Sequence, residues 1–540
     1  MSFKRRSLNP TPALYRNAEH AMVTRLVFSL VLASLTLVAA HISHAQPDPG
    51  QRPNIIFIFT DDHASQSIGA YGSKINATPH IDRIAEEGAI FLNSFCGNSI
   101  CGPSRATILT GLHSHANGFM TNTNRFDSSQ QTFPKLLQKA GYTTAMIGKY
   151  HLHDTPKGFD YWKVLPGQGE YYNPDFITPE GRVRVQGHCT NVVTDLGLDW
   201  LDAGRDKDKP FMLMLQHKAP HRTWMPAPEE LGLYRDADIP EPETLFDDYQ
   251  GRGPAAANTE MEIDRHMFFA YDLYCPLHKD EPLYEYYERK IGRLDADQRA
   301  KWDKYYEPEN EAFRKNKDSM TAKEIEQWKY QRYVKNYLRC ITGVDRNVGR
   351  VLQYLDDNPE IKNNTIVIYS SDQGFYLGEH GWYDKRWMYE ESLAMPLVAR
   401  WPGVIEPGTR VEALVQNIDY APTFLDIAGT EPETPMHGRS LLDLFDNDRE
   451  PWRTGVYYHY YEYPRPHRVP PHEGIRTKRY SLMHFYHPDH GYWELYDLDN
   501  DPTQVKSVYD DPKYAETVQT LKTELEALKT RYGVEAKTAE

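Results

Sequence analysis

The chain alternates short runs of apolar β-formers with amphipathic stretches. Ile55–Phe59, Thr143–Ile147, Phe211–Leu215 and Thr365–Tyr369 are continuous apolar runs, the pattern of strands buried on both faces. Pro79–Gly88 and Phe133–Gly141 read as helices closed by glycine. Strands alternating with helices predict an α/β fold, a large mostly parallel mixed sheet sandwiched by helices. Residues 228–330 break the pattern. They are rich in Glu, Asp, Lys, Tyr and Pro, and read as an extended arm and helices inserted before a helix at about 328–356. Their charge runs read as solvated helix faces. Beyond about residue 440, Val456–Glu462 and Tyr480–His484 are Tyr-rich and strand-like, and Val518, Leu521, Leu525 and Leu528 share one helical face. The expected organisation is a catalytic α/β domain over 46–440 with the insertion at about 228–330. A smaller α+β C-terminal subdomain follows over 441–540, with an antiparallel sheet and a final helix.

The N-terminus has a different pattern. Leu26–Ala40 is apolar, Arg25 precedes it, and Ser43-His44-Ala45 leads into Gln46. A basic region, an apolar core and a small-residue cleavage site make residues 1–45 a signal peptide, with Met1 or Met22 as the start. The run is short for a membrane span, so no span is expected in the mature chain. The implied location is outside the cytoplasm: periplasmic, secreted or at the cell surface. Only five cysteines occur (Cys96, Cys101, Cys189, Cys275 and Cys340), too few for a disulfide scaffold and without zinc-site spacing.

Charge narrows the function. Lys and Arg number 61 against 76 Asp and Glu, a net −15 in 540 residues. No nucleic-acid partner is expected, because such binders carry a basic footprint.

Ligands of open parallel sheets bind beyond the carboxyl ends of the strands. The four apolar runs end in Thr60-Asp61-Asp62-His63, Gly148-Lys149-Tyr150-His151, Gln216-His217-Lys218-Ala219-Pro220-His221 and Ser370-Ser371-Asp372-Gln373-Gly374. Carboxylates, lysines and histidines thus converge on one edge. Asp61, Asp62, Asp372 and Gln373 offer four oxygen ligands, a set for a hard cation such as Ca²⁺ or Mg²⁺. Cys101-Gly102-Pro103-Ser104-Arg105 places a cysteine before a proline that suits a helix's first turn, where partial positive charge favours an anion or a thiolate.

Together these segments resemble the type I sulfatases of the alkaline phosphatase superfamily, over about residues 52 to 505. In that family the cysteine of the Cys-x-Pro-Ser-Arg pattern is oxidised to formylglycine by a separate maturation enzyme. The resemblance implies Ca²⁺ bound by Asp61, Asp62, Asp372 and Gln373, with Cys101 also at the metal and, as the hydrate, the nucleophile. It implies that Arg105 and Lys149 hold the hydrate and the developing charge, and that His151 acts on its second hydroxyl. Asp372 takes the first proton. His221 or Lys385 assists the leaving oxygen, with His217 the alternative in the same loop. A gem-diol suits the task because its second hydroxyl lets the sulfated form collapse to the aldehyde and expel sulfate. Acid–base groups must stand ready for each proton.

The segments Ser370–Trp382 and Asp384–Ser392, and the arm at Phe246–Tyr249, are similar to the N-acetylglucosamine-6-sulfatase branch, which includes mucin-desulfating relatives. The expected substrate is a sulfated glycan, attacked in the exo mode. Alternatives are another sulfated polysaccharide such as ulvan or a uronate-2-sulfate, a phosphodiesterase or phosphonate monoester hydrolase of the superfamily, and a silent glycan-binding protein. Trp382 and Arg386, with Trp224 and Tyr383, are expected to face the sugar. His472 and Arg476 are expected on a C-terminal loop that reaches the site. A small basic pocket for one terminal sulfate would reconcile an anionic substrate with the acidic chain.

Overall fold

A computed structural model describes residues 52–445, 452–488 and 491–535. The proposed leader lies outside the described residues. The central sheet has ten strands in the order β12-β2-β11-β8-β1-β7-β3-β4-β5-β6. They are β1 (Asn54–Thr60), β2 (Ala89–Phe95), β3 (Thr143–Lys149), β4 (Tyr161–Leu165), β5 (Asp175–Thr178), β6 (Gly181–Arg184), β7 (Phe211–Gln216), β8 (Thr365–Ser371), β11 (Leu397–Arg400) and β12 (Thr409–Gln416). Two short strands, β9 (Tyr376–Leu377) and β10 (Tyr383–Asp384), form a separate antiparallel ladder.

The four apolar runs form the middle of the sheet. β1 pairs in parallel with β7 and β8, and β3 with β7 and β4. β11 runs antiparallel to both β2 and β8, and β5 and β6 add an antiparallel edge. The sheet is therefore mixed but mostly parallel. Alternation within β1 explains why the runs are continuous: Ile55, Phe57 and Phe59 pack into one core, Ile56 and Ile58 into another on the opposite face. With helices on both faces, every side chain is removed from water.

Register then fixes the site. Phe59 lies opposite Gln216, Thr60 opposite Ser371, and Gly148 opposite Gln216. The residues that follow, Asp61, Asp372, Lys149 and the loop from His217, must emerge side by side. Gly148 has φ +110°, and a Cβ there would lie 1.9 Å from the Gln216 carbonyl, so only glycine lets β3 lie this close to β7.

The predicted helices appear at Pro79–Glu86, Phe133–Lys139 and Cys101–Thr110. Residues 228–330 run through loops and short turns before the helices Tyr284–Ile291 and Ala296–Asn316. A 36-residue helix, Ala322–Asp357, follows and opens with a capping box from Thr321 and Glu324. The C-terminal strands β13 (Gly455–Tyr460), β14 (His472–Thr477), β15 (Tyr480–Phe485) and β16 (Tyr492–Asp497) form a separate antiparallel sheet. The helix Ala515–Tyr532 buries Leu521 and Leu525 against Ile475, Leu482 and Leu495 of that sheet. All five cysteines are free and buried. No helix among the described residues is long and apolar enough to cross a membrane.

Candidate active site

Three buried carboxylates meet where β1 and β8 end. Asp61, Asp62 and Asp372 each offer an oxygen within 4.8 Å of the others. Three cations from three elements face them. Lys149 at the end of β3 donates to Asp61. Lys385 donates to Asp62 at 2.7 Å. Arg105, one turn into the Cys101–Thr110 helix, donates to Asp372 Oδ2 through Nε and Nη2 at 3.0 and 2.9 Å. Arg105 is also held by Gln216 Oε1 at 2.6 Å and the Lys149 carbonyl at 2.7 Å.

The pairing is incomplete. Asp61 Oδ1 and Gln373 Oε1 are buried acceptors without a hydrogen-bond partner. Arg105 lies 3.6 Å from Asp61 Oδ1, too far for a hydrogen bond. Gln373 Nε2 donates to Asp62 Oδ1. Buried oxygens left over among clustered carboxylates are what a hard, oxygen-seeking cation would satisfy. The oxygen-rich set of Asp61, Asp62, Asp372 and Gln373 therefore fits a hard cation such as Ca²⁺.

The carboxylates respond differently to this crowding. Burial pushes Asp61 up, but Lys149, then His221 and Arg105, outweigh it and hold it well below the usual range. For Asp62, burial prevails over Lys385, with Asp61 adding to it, and the group is pushed up to about 6. Asp372 is driven well above its ordinary value by burial and by Asp61. Adjacent carboxylates pushed apart in this way are common at reactive centres.

Cys101 begins its helix and is 1% exposed. Its Sγ, an Asp61 oxygen and a His221 ring nitrogen lie within 4.8 Å of one another. Gln373 Nε2 is 3.8 Å from the sulfur. The expectation of a thiolate at a helix N-terminus is not met. Burial, and then Asp61, push the thiol up to about 12. An unmodified Cys101 is thus a poor nucleophile here. Gly374 locks the carboxylate loop, because a Cβ there would lie 2.1 Å from the Glu391 carbonyl.

Of the two candidate histidines, His221 reaches the centre. Its Nδ1 donates to the Arg222 carbonyl at 2.5 Å, and its Nε2 lies 3.8 Å from Asp62. His217 is fully buried and lines no part of the cavity. Burial and Lys149 keep both His221 and His151 neutral. His151 accepts from Gln168 Nε2 at 3.2 Å through its Nε2, and its Nδ1 has no partner. Lys385 is kept charged: Asp384 and Asp62 outweigh its burial. Strain accompanies this geometry. Asp62, His151, Asp384 and Arg386 all have φ between +54° and +94°, values that non-glycine residues avoid.

The centre opens into a cavity of about 620 Å³, lined by Cys101, His221, Lys385 and Arg386 among others. A larger hollow of about 940 Å³, beside Trp452 and Arg479, shares no residue with these groups. Arg386, expected to face the sugar, lines the cavity. There it is held by Glu462 at 2.7 Å. Three other expected sugar contacts are not brought there. Trp382 is fully buried in a stack with Trp387 and Tyr389, rings 5.1 and 6.0 Å away. His472 lies on strand β14 and accepts the Met388 N–H at 3.1 Å, so it supports the loop that carries Lys385 and Arg386. Arg476 on the same strand pairs with Glu390 at 2.8 Å. Trp224 and Tyr383 are likewise buried. Trp224, Trp382 and Tyr383 are near the site in sequence and His472 and Arg476 are not, but all five side chains are buried in the elements around it.

Sequence reasoning missed Asp384 and His467, which line the cavity and face each other at 3.3 Å. Asp384 adjoins Lys385, and that adjacency was the available signal. Arg289, Lys290 and Arg293 also line the cavity. The charge run around Tyr284–Ile291 is therefore not simply a solvated face: Lys290 is buried.

Comparison with known proteins agrees with this geometry. Residues 53–430 match the family model described as Sulfatase, and residues 378–531 match the one described as N-sulphoglucosamine sulphohydrolase, C-terminal. The chain is 45% identical to the N-acetylglucosamine-6-O-sulfatase of Bacteroides thetaiotaomicron over 93% of this chain and 90% of that protein. It is 27% identical to human N-acetylglucosamine-6-sulfatase, covering 76% and 67%. A solved structure in complex with its substrate D-glucosamine-2-N,6-O-disulfate superposes with a TM-score of 0.86 and 45% identity, covering 89% of this chain and 98% of that one.

Proposed function

The chain belongs to the sulfatase family, and we propose that it removes a 6-sulfate from a terminal glucosamine of a sulfated glycan outside the cytoplasm. It is a sulfuric ester hydrolase acting on carbohydrate. The observation that carries the finer reading is the set of unsatisfied carboxylate and amide oxygens beside Cys101, at the base of a basic cavity. The similarity to an N-acetylglucosamine-6-O-sulfatase over nine-tenths of both chains supports the sugar.

Asp61, Asp62, Asp372 and Gln373 would hold Ca²⁺, which when bound polarises sulfate oxygens as a Lewis acid. Cys101, once oxidised to formylglycine by a maturation enzyme, would carry the attacking hydroxyl. Arg105 and Lys149, fixed by their carboxylate partners, offset negative charge as it builds on the sulfuryl oxygens. Asp372, beside Arg105, would take the proton from the nucleophile. Neutral His151, whose Nε2 accepts from Gln168, carries its proton on Nδ1, so Nε2 is the atom that would accept the second. The Nδ1–H tautomer of His221 leaves its Nε2 without a proton, so charged Lys385 is the donor to the departing alcohol oxygen. The basic and apolar leader supports export.

Sulfate release from defined sulfated mono- and oligosaccharides, beginning with N-acetylglucosamine-6-sulfate, tests the substrate. Mass spectrometry of the Cys101 peptide tests its conversion, since the aldehyde is lighter than the thiol. A natural preparation with intact Cys101 and no sulfate release would overturn the reading, as would a preference for phosphate esters.

A further inference from the structure

Charge around the cavity is lopsided. Eight Lys and Arg residues line it against three Asp and Glu, in a chain of net charge −15. Most of these cations are committed. Lys385 faces Asp62, Arg386 faces Glu462, and Arg222 faces Asp272 at 2.6 Å. Arg182 and Arg293 share Asp175 at 2.8 and 3.4 Å.

Lys218 is different. It lines the cavity three residues before His221 and is 2% exposed. Among the described residues it makes no hydrogen bond or ion pair. Its ammonium lies 4.7 Å from the centre of the Tyr171 ring. Lys290 lines the same cavity, is 8% exposed, pairs with Glu170 at 3.5 Å, and lies 5.9 Å from the centre of the Tyr271 ring. An ammonium taken out of water without an anion is costly, and evolved structures place such groups where a ligand completes them. Burial, then the neighbouring Lys290, push Lys218 down to about 8, which leaves it mostly charged at neutral pH. The reacting sulfate does not need it, because Arg105, Lys149 and Lys385 already surround that position.

We propose that Lys218 and Lys290 form a second anion subsite, which holds another negatively charged group of the substrate while the reacting sulfate lies at Cys101. This rests on the sulfatase reading and narrows it: the preferred substrate carries at least two anionic groups. The shared chemistry is an oxyanion within one sugar of the scissile ester. It can be a sulfamate on the same ring or a carboxylate on the adjoining one.

The test uses the full chain with Cys101→Ala, which removes turnover, and measures binding by calorimetry with Ca²⁺ present. Three probes separate the sources: N-acetylglucosamine-6-sulfate, D-glucosamine-2-N,6-O-disulfate, and N-acetylglucosamine-6-sulfate joined to a uronic acid. Adding Lys218→Met should weaken at least one doubly anionic probe by about 10- to 100-fold, the range of a lost charge-assisted hydrogen bond. The singly sulfated probe should change less than about twofold. The probe that weakens identifies the source. Lys290→Gln should act in the same direction by a smaller factor, and it carries the test if Lys218→Met does not fold. Equal loss for all three probes, or loss for none, overturns the subsite. Sulfate release by the unmutated protein is measured alongside. Its absence with every probe would reject the sulfatase substrate, while the calorimetry still decides the subsite.

Discussion

Two fully buried aspartate centres in this protein are built on opposite principles. Asp419 ends a short 3-10 turn after β12, and its carboxylate is saturated. Arg453 grips both oxygens at 2.6 Å, the Arg439 N–H adds a bond to Oδ1 at 2.9 Å, and the Gln416 N–H adds one to Oδ2 at 2.8 Å. One bidentate partner and two amides leave no capacity for a ligand. At Asp61, Asp62 and Asp372 the cations come from three separate elements, and two acceptors have no hydrogen-bond partner. The first centre ties the C-terminal strands to the main sheet. The second keeps capacity in reserve. Burial alone does not distinguish them; unsatisfied valence does.

The comparison can be broken most directly at Cys101. Cys101→Ala should reduce sulfate release by about 10⁵-fold or more, as loss of a nucleophile does, with an unchanged unfolding midpoint. A large drop in that midpoint would make the reserved centre structural after all. Asp372→Asn should cost at least about 100-fold in turnover while the apo protein is no less stable, because a crowded charge is removed. Asp419→Ala should do the reverse. It strands Arg453 in the interior and should lower stability by about 3–5 kcal/mol, read by denaturant titration, with turnover per folded molecule preserved.

Added Ca²⁺ sharpens the contrast. At about 100 times its dissociation constant it should stabilise the wild type by about 2.7 kcal/mol. It should have little effect on Asp61→Asn, and Asp419→Ala should keep the full response. The smallest effect is expected from acid. Burial pushes Glu473 up, but His484, His459 and Lys529 outweigh it and hold it down to about 2. A lowered folded value means stability that is present above the ordinary value of 4.5 and lost as pH falls from there towards 2. Glu473→Gln should flatten the acid limb of stability in that window and leave the Ca²⁺ response alone.

Much of the reserved centre was legible in the sequence, for a physical reason. A strand buried on both faces is a continuous apolar run, so its end is sharp, and the polar residues after Phe59, Ile147, Leu215 and Tyr369 stood out. Adjacency in register needed only the assumption of a parallel sheet. The cavity wall was not legible. Lys290 lies on a helix more than 180 residues after Cys101, and nothing local separates it from the exposed charges beside it. Trp382, His472 and Arg476 misled for the converse reason. Proximity in sequence to Lys385, or to an expected loop, does not fix which way a side chain points. Each turned into an aromatic stack, a backbone hydrogen bond or an ion pair around the site. Asp419 gave no signal at all, since its partners Arg439 and Arg453 are set by the fold.

One consequence concerns time. Cys101 is 1% exposed, and β8, which leads into Gln373 beside its sulfur, begins only at Thr365. At about 5–20 residues per second of synthesis, Cys101 would precede that strand by roughly 15–50 s. A visiting oxidising enzyme would have its access then, while the chain is still incomplete. For the conversion proposed above, the order in which the chain is made would then matter alongside the cavity that Cys101 lines in the finished protein.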